Sequence, residues 1–167
     1  MKEPLVTERL QLLPVESNNF DIIFSMLRNE KVKKYLCDNR DLDKEAIRQI
    51  VRDSDALFAE EGIGLWLIYP KDERSAIGFC GFSRNEILEL IYVVHPYFQN
   101  QGIGTEATFG IVNYFCQNHG EDLYAKVDLP NVESHKVARK LGMREVATEK
   151  NEVTGFDMKV YKLVIPQ

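Results

Sequence analysis

From Ile87 to Val94 the only charge is Glu89, and the run halts at His95-Pro96. Gly102 and Gly104 then open a segment in which Ile103, Ala107, Ile111 and Phe115 fall four apart. The first stretch reads as a strand over Glu86–His95, the second as a helix from about Gly102 to Asn118. A strand that runs through a glycine-bearing loop into a helix belongs to a layered α/β domain. The start of such a helix leaves backbone N–H groups free for an anion, and glycines let phosphate oxygens approach closely. A pyrophosphate suits that loop.

The remaining elements follow from periodicity and turn residues. Leu5–Leu13 reads as a strand. Ser17 reads as the cap of a helix over Asn18–Asn29, with Phe20, Ile23, Phe24 and Leu27 on one face. Val32, Tyr35 and Leu36 suggest a further helical turn. Asp43–Glu61 has helical spacing and ends at Gly62 and Gly64. Gly64–Tyr69, Ala76–Ser83 and Glu86–His95 are separated by short turns and read as an antiparallel meander. After the central helix come a strand (Leu123–Leu129), a helix (Val132–Leu141) and two strands (Arg144–Lys150, Asp157–Val164) around a turn at Asn151–Gly155. This order predicts an α/β domain of the α+β type, with a single mixed, largely antiparallel sheet flanked by helices. At 167 residues, the expectation is one domain spanning 1–167.

Composition removes several functions. With 21 basic and 26 acidic side chains, the chain lacks the broad basic face that grips nucleic acid. The N-terminus has no basic region followed by an apolar stretch, and no apolar run is long enough for a membrane span. The 3 cysteines, Cys37, Cys80 and Cys116, are far apart and form no disulfide framework. The 3 histidines show no metal-ligand spacing, so no metal is expected. These readings point to a reduced, cytoplasmic, metal-free protein.

The loop alone leaves its ligand open. Gly102-Ile103-Gly104-Thr105-Glu106-Ala107 satisfies the dinucleotide pattern GxGxxA. Yet Pro96–Gln101 intervenes between strand and glycines, and the unit sits mid-chain. The lysine of a Walker A loop is absent. An ordinary strand-to-helix connection, with glycines present for packing, also satisfies the pattern.

Four segments carry a resemblance. Gln99-x-x-Gly102-x-Gly104 after Val93-Val94-His95-Pro96 resembles the acetyl-CoA loop, (R/Q)-x-x-G-x-(G/A), of the GNAT N-acetyltransferases. Thr7-Glu8-Arg9-Leu10, Glu89-Leu90-Ile91-Tyr92, and Asn131-Val132-Glu133-Ser134 followed by Lys140-Leu141-Gly142-Met143 resemble, in order, segments of the branch that acetylates ribosomal-protein N-termini. The resemblance implies a sheet splayed at its centre, with the pantetheine arm of acetyl-CoA, the cosubstrate, seated in the gap. It implies that the backbone of Tyr92, Val93 and Val94 pairs with that arm. Gln99, Asn100, Gln101, Gly102, Ile103, Gly104 and Thr105 would hold the pyrophosphate. Asn131 would reach the pantetheine amides, and Ser134 would lie near the sulfur. Two departures stand out. The loop residues Gln99, Asn100 and Gln101 are uncharged, which leaves phosphate binding to backbone N–H groups and the helix dipole, helped by Arg139 or Lys140. Ala138 stands where many relatives carry a tyrosine acid.

The implied reaction is direct transfer, in a ternary complex, of an acetyl group to a primary amine. Such a reaction needs a neutral amine, a polarised carbonyl and a thiolate that can leave. At neutral pH roughly a tenth of an α-amine is already neutral, and far less of a lysine. Glu89 is the candidate catalytic base, direct or through water, because Ile87, Ile91 and Val93 share its strand face and apolar surroundings raise a carboxyl's pKa. A solvent-facing carboxylate without catalytic duty is the other reading. A backbone N–H near Val93 or Val94 would polarise the carbonyl, and Ser134 would assist the leaving thiol.

Trp66 is expected in the core and His95 in a turn. Specificity is expected from the early helices, the Leu36–Asp43 connection and the final hairpin around Asn151–Gly155. Among their acids, Asp38, Asp41, Glu60 and Glu61 either attract a cationic amine or form a solvated face. The acceptor classes are a protein N-terminal α-amine or a small amine (polyamine, amino acid, aminoglycoside). A non-catalytic coenzyme-A-binding domain and a small nucleotide-binding module are the other readings. Homodimerisation is implied by the resemblance alone.

Overall fold

The computed structural model describes residues 2–165, so Met1, Pro166 and Gln167 of the expected 1–167 unit lie outside the described residues. Its elements in chain order are β1 (Leu5–Val6), β2 (Leu10–Pro14), α1 (Phe20–Leu27), α2 (Glu30–Leu36), α3 (Lys44–Glu61), β3 (Leu65–Pro70), β4 (Gly78–Arg84), β5 (Leu88–Val94), α4 (Ile103–Asn118), β6 (Leu123–Asp128), α5 (Val132–Lys140), β7 (Arg144–Lys150) and β8 (Asp157–Leu163). One 8-stranded sheet runs in the order β1-β2-β3-β4-β5-β6-β8-β7.

The expected mixed, largely antiparallel sheet is present. Every neighbouring pair is antiparallel except β5 and β6. Those two run parallel and meet at a single residue pair, Glu89 opposite Tyr124. Beyond that point they diverge, and the expected splay is this divergence.

Strand alternation sends side chains to two cores. Leu88, Leu90 and Val94 of β5 join Leu123, Ala125 and Val127 of β6 beneath α4 and α5. Val93, with Ile91 beside it, packs instead with Ile23 of α1, Val32 of α2 and Ile47 of α3. Trp66 is fully buried against Phe58, with ring centroids 4.8 Å apart, as its core reading expected.

Two sequence expectations need correction. Leu5–Leu13 is not one strand. It breaks at Thr7-Glu8-Arg9, where the Thr7 N–H donates to the Leu10 carbonyl at 3.0 Å and the Leu10 N–H to the Thr7 hydroxyl at 3.1 Å. A side chain that competes for backbone partners in this way makes a turn out of a strand-like sequence. The Asn18–Asn29 helix is also divided, and Ser17 does not cap it. Ser17–Asn19 is a short 3₁₀ turn, and the Glu16 N–H donates to the Asn19 side chain at 2.8 Å. Asn29 is extended, and its side chain caps α2 by accepting from the Lys31 N–H at 3.0 Å. The other elements agree with the sequence reading to within a residue or two. Asp43 caps α3, and Gly62 closes it in the left-handed conformation at φ 73°.

Candidate active site

A cleft of about 1130 Å³ opens where β5 and β6 part. Its walls include Glu89, Tyr92, Val93, Val94, Asn131 and Ser134. Gln99, Asn100, Gly102, Ile103, Gly104 and Thr105 line it at the start of α4. Of the sequence candidates, Gln101 is not among the lining residues. Its side chain donates to the Tyr97 carbonyl at 3.3 Å, and its own carbonyl accepts from Arg9 at 2.9 Å.

The loop geometry follows from its residues. Asn100 and Gly102 hold positive φ values of 60° and 76°. Only glycine and, at some cost, asparagine adopt this backbone readily. Gly102 is the N-cap of α4, so the first N–H groups of that helix face the cleft end. A Cβ placed on Gly104 would lie 3.1 Å from the Tyr92 ring, which shows how closely β5 packs under the helix start. Gln99 turns inward and donates to the Val94 carbonyl at 2.9 Å. It therefore fixes the strand end, and one of the carbonyls expected to be free is taken. These features fit a pyrophosphate held by main chain, with Lys136 and Lys140 in the same wall. Arg139 is not among the lining residues. Arg9, unexpected here, reaches the loop from the β1–β2 turn, but Glu106 pairs with it at 2.6 Å.

Across the gap, the Tyr92 hydroxyl lies 2.9 Å from the Ser134 hydroxyl. The Asn131 side chain caps α5 by accepting from the Ser134 N–H at 3.3 Å, which fixes where Ser134 sits. Burial pushes the Tyr92 phenol up, and the Ser134 bond only partly offsets it. Tyr92 therefore stays protonated, and either hydroxyl can donate in this contact. The resemblance gives its backbone, and not its hydroxyl, a part in the site. Ala138, at the expected tyrosine position, is on the buried face of α5.

Glu89 stands on the opposite face, half-buried. Burial raises its pKa above the usual glutamate value, Lys126 lowers it and Glu149 adds to the rise. Lys126 Nζ is 3.9 Å from the Glu89 carboxylate and 3.3 Å from that of Glu149. The sequence reading missed Lys126 and Asp128, and it named Asn151 only as the start of the final hairpin. Alternation along β6 would have placed Tyr124, Lys126 and Asp128 together on the Glu89 side of the sheet.

Other candidates resolve plainly. The His95 side chain accepts from the Tyr97 N–H at 3.3 Å, a turn role. Glu61 is paired with Arg84 and Asp41 with Lys33, so neither joins the cleft. Asp38 does line it. Glu61, His119 and Glu121 approach one another as metal ligands would, but Arg84 occupies both carboxylates. Among the described residues, no helix is long and apolar enough to cross a membrane.

The same architecture recurs among solved structures. A GNAT-family acetyltransferase structure from Bordetella pertussis superposes with a TM-score of 0.84 at 20% identity, over 96% of this chain and 99% of that one. RimL, a ribosomal L7/L12 α-N-protein acetyltransferase in complex with coenzyme A, superposes at 0.82 with 19% identity over 98% of each chain. The uncharacterized N-acetyltransferase YoaA of Bacillus subtilis is 25% identical over 98% of this chain and 97% of its own. The model of the acetyltransferase (GNAT) domain matches residues 9–144. The chain therefore belongs to the GNAT family of acetyl-CoA-dependent N-acetyltransferases.

Proposed function

We propose that this enzyme moves the acetyl group of acetyl-CoA directly to a primary amine bound in the same cleft, with a protein N-terminal α-amine as the acceptor class. The observation that carries the reading is the opening between β5 and β6 past Glu89–Tyr124, with a glycine-capped helix start at its end. The acceptor class is suggested by RimL, whose described substrate is a ribosomal-protein α-amine.

In this reading the amine nitrogen attacks the acetyl carbonyl carbon, and the carbon–sulfur bond breaks as the amide forms. Glu89 takes the amine proton through water, a role that a raised pKa suits. A backbone N–H near Val93 or Val94 steadies the carbonyl oxygen. The leaving thiol has a pKa near that of cysteine, about 8.5, so it needs a hydrogen bond more than a strong acid. Ser134 supplies that bond. Tyr92 donates to the Ser134 oxygen from behind, which aims the Ser134 proton at the sulfur.

The test follows thiol release from acetyl-CoA with N-terminal-serine peptides and simple primary amines. Release with the peptides is expected. Silence across the whole set, in a protein that binds coenzyme A, would overturn the reading.

A further inference from the structure

On the Glu89 side of the gap, the mechanism leaves a linked pair of aspartates unused. Asp128 ends β6, and Asp38 sits in the turn after α2 at a positive φ of 52°. Both line the cleft. Asn151, in the turn between β7 and β8, ties them together. Its side-chain oxygen accepts from the N–H groups of Val153 at 3.0 Å and Thr154 at 3.2 Å, which fixes the amide's orientation. Its NH₂ group therefore points the other way, to Asp38 at 2.6 Å and Asp128 at 3.3 Å.

The arrangement is incomplete. Asp128 is only 6% exposed, yet its second carboxylate oxygen has no hydrogen-bond partner among the described residues. Among the described residues, the second oxygen of Asp38 has only Arg40, at 3.5 Å. A buried carboxylate oxygen left unpaired, beside a second carboxylate, costs free energy until a donor reaches it. An anion would be repelled there, whereas an ammonium supplies both donors and charge. Of the lysines on the β6 and β7 walls, Lys126 is engaged by Glu89 and Glu149, and Lys150 by Asp157; Lys31 and Lys34 of α2 and Glu152 also line the cleft.

The amine that reacts cannot be this ammonium, because a carboxylate stabilises the protonated form and the nucleophile must be neutral. We propose that Asp128 and Asp38, joined by Asn151, hold a second positively charged group of the acceptor, separate from the amine that is acetylated. The inference rests on the acetyl-transfer reading and narrows its substrate class to acceptors with two cationic nitrogens. An alkyl diamine supplies that chemistry, and so does a peptide with a lysine near its free N-terminus.

The test compares matched acceptors in acetyl-CoA thiol release: alkyl diamines of graded length against monoamines, and N-terminal peptides with lysine against the same peptides with norleucine. The wild type is expected to favour the doubly charged member of one pair at least tenfold in kcat/KM. That ratio should collapse toward one in Asp38→Asn and Asp128→Asn. The pair that responds identifies the source. A wild type indifferent to the second charge, or variants that keep the preference, would overturn the proposal. Calorimetry with the diamines and lysine peptides alone separates this site from the chemistry. Asp38-dependent binding without turnover would retain the site and remove the acetyl-transfer reading, and absence of binding would remove the site.

Discussion

Glu89 faces Tyr124 in the one residue pair that joins β5 to β6. The base candidate therefore stands at the point where the sheet begins to open, with Val93 two pleats farther along the same face. A proton moving from an amine beside Val93 would cover that distance through water. Glu89→Gln should keep the fold and acetyl-CoA affinity while turnover falls about 10²-fold or more, the usual worth of a positioned base. Wild-type kcat/KM should rise with pH through a value above the ordinary glutamate range, because the base works deprotonated and burial raises its pKa. A pH profile with the same acid limb in Glu89→Gln would remove Glu89 from the mechanism.

Lys126 sharpens that test. Its charge lowers the Glu89 pKa against the effect of burial. Lys126→Ala should therefore shift the acid limb of the wild-type profile to higher pH, with turnover well above the pH limit nearly preserved. A limb that stays in place would show that the two charges do not communicate in solution.

The loop prediction rests on backbone geometry. Gly102 needs φ near +76°, a region that costs an ordinary side chain about 1–2 kcal/mol. Gly102→Val should weaken coenzyme A binding about tenfold or more, some 1.4 kcal/mol, read by calorimetry. Gly104→Val acts differently. Its side chain would drive into the Tyr92 ring, so turnover should suffer together with affinity.

Much of this was legible in the chain itself. The meander, the central helix and the cleft-lining loop follow from apolar spacing and the two glycines, because these patterns are local. The splay is visible only as a resemblance, since nothing in Leu88–Val94 or Leu123–Asp128 marks where two parallel strands stop pairing. The Leu36–Asp43 and Asn151–Gly155 segments, read in the sequence as specificity elements, come together through the Asp38–Asn151 contact, which joins residues 113 positions apart and which no local pattern announces. Asp128 was invisible for the opposite reason. It reads as the polar end of a strand until three elements close around it. The Thr7–Arg9 break was missed because strand propensity ignores a hydroxyl that captures a backbone N–H.

Ser134 and Tyr92 should behave as one unit. Ser134→Ala and Tyr92→Phe are each expected to lower kcat about tenfold, with the acetyl-CoA KM little changed. The double variant should be no slower than the worse single one, since groups acting in series are not additive. Multiplicative losses would show that the 2.9 Å hydroxyl contact carries no function.

Glu106 offers a stability test that is independent of catalysis. Burial alone would raise its pKa, but hydrogen bonds from Thr7 and Arg9 outweigh it and hold the carboxyl below the usual range. These contacts, Thr7 Oγ1 at 2.6 Å, Arg9 N–H at 2.7 Å and Arg9 Nε at 2.6 Å, pin the β1–β2 turn to α4 just behind the loop. A depressed folded pKa means that the unfolded chain binds the proton more readily. The stabilisation is therefore full above about pH 4.3, the unperturbed glutamate value, and is lost as pH falls through the lower folded value. Arg9 is half-exposed, so solvent screening reduces the ion-pair share, which leaves about 1 kcal/mol for the cluster. Glu106→Gln should lower Tm by about 2–4 °C at pH 7. That gap should close as the pH falls through the depressed folded value, where the wild-type carboxyl itself becomes protonated. A gap that persists unchanged into acid would show that the side chain's shape, and not its charge, anchors the turn.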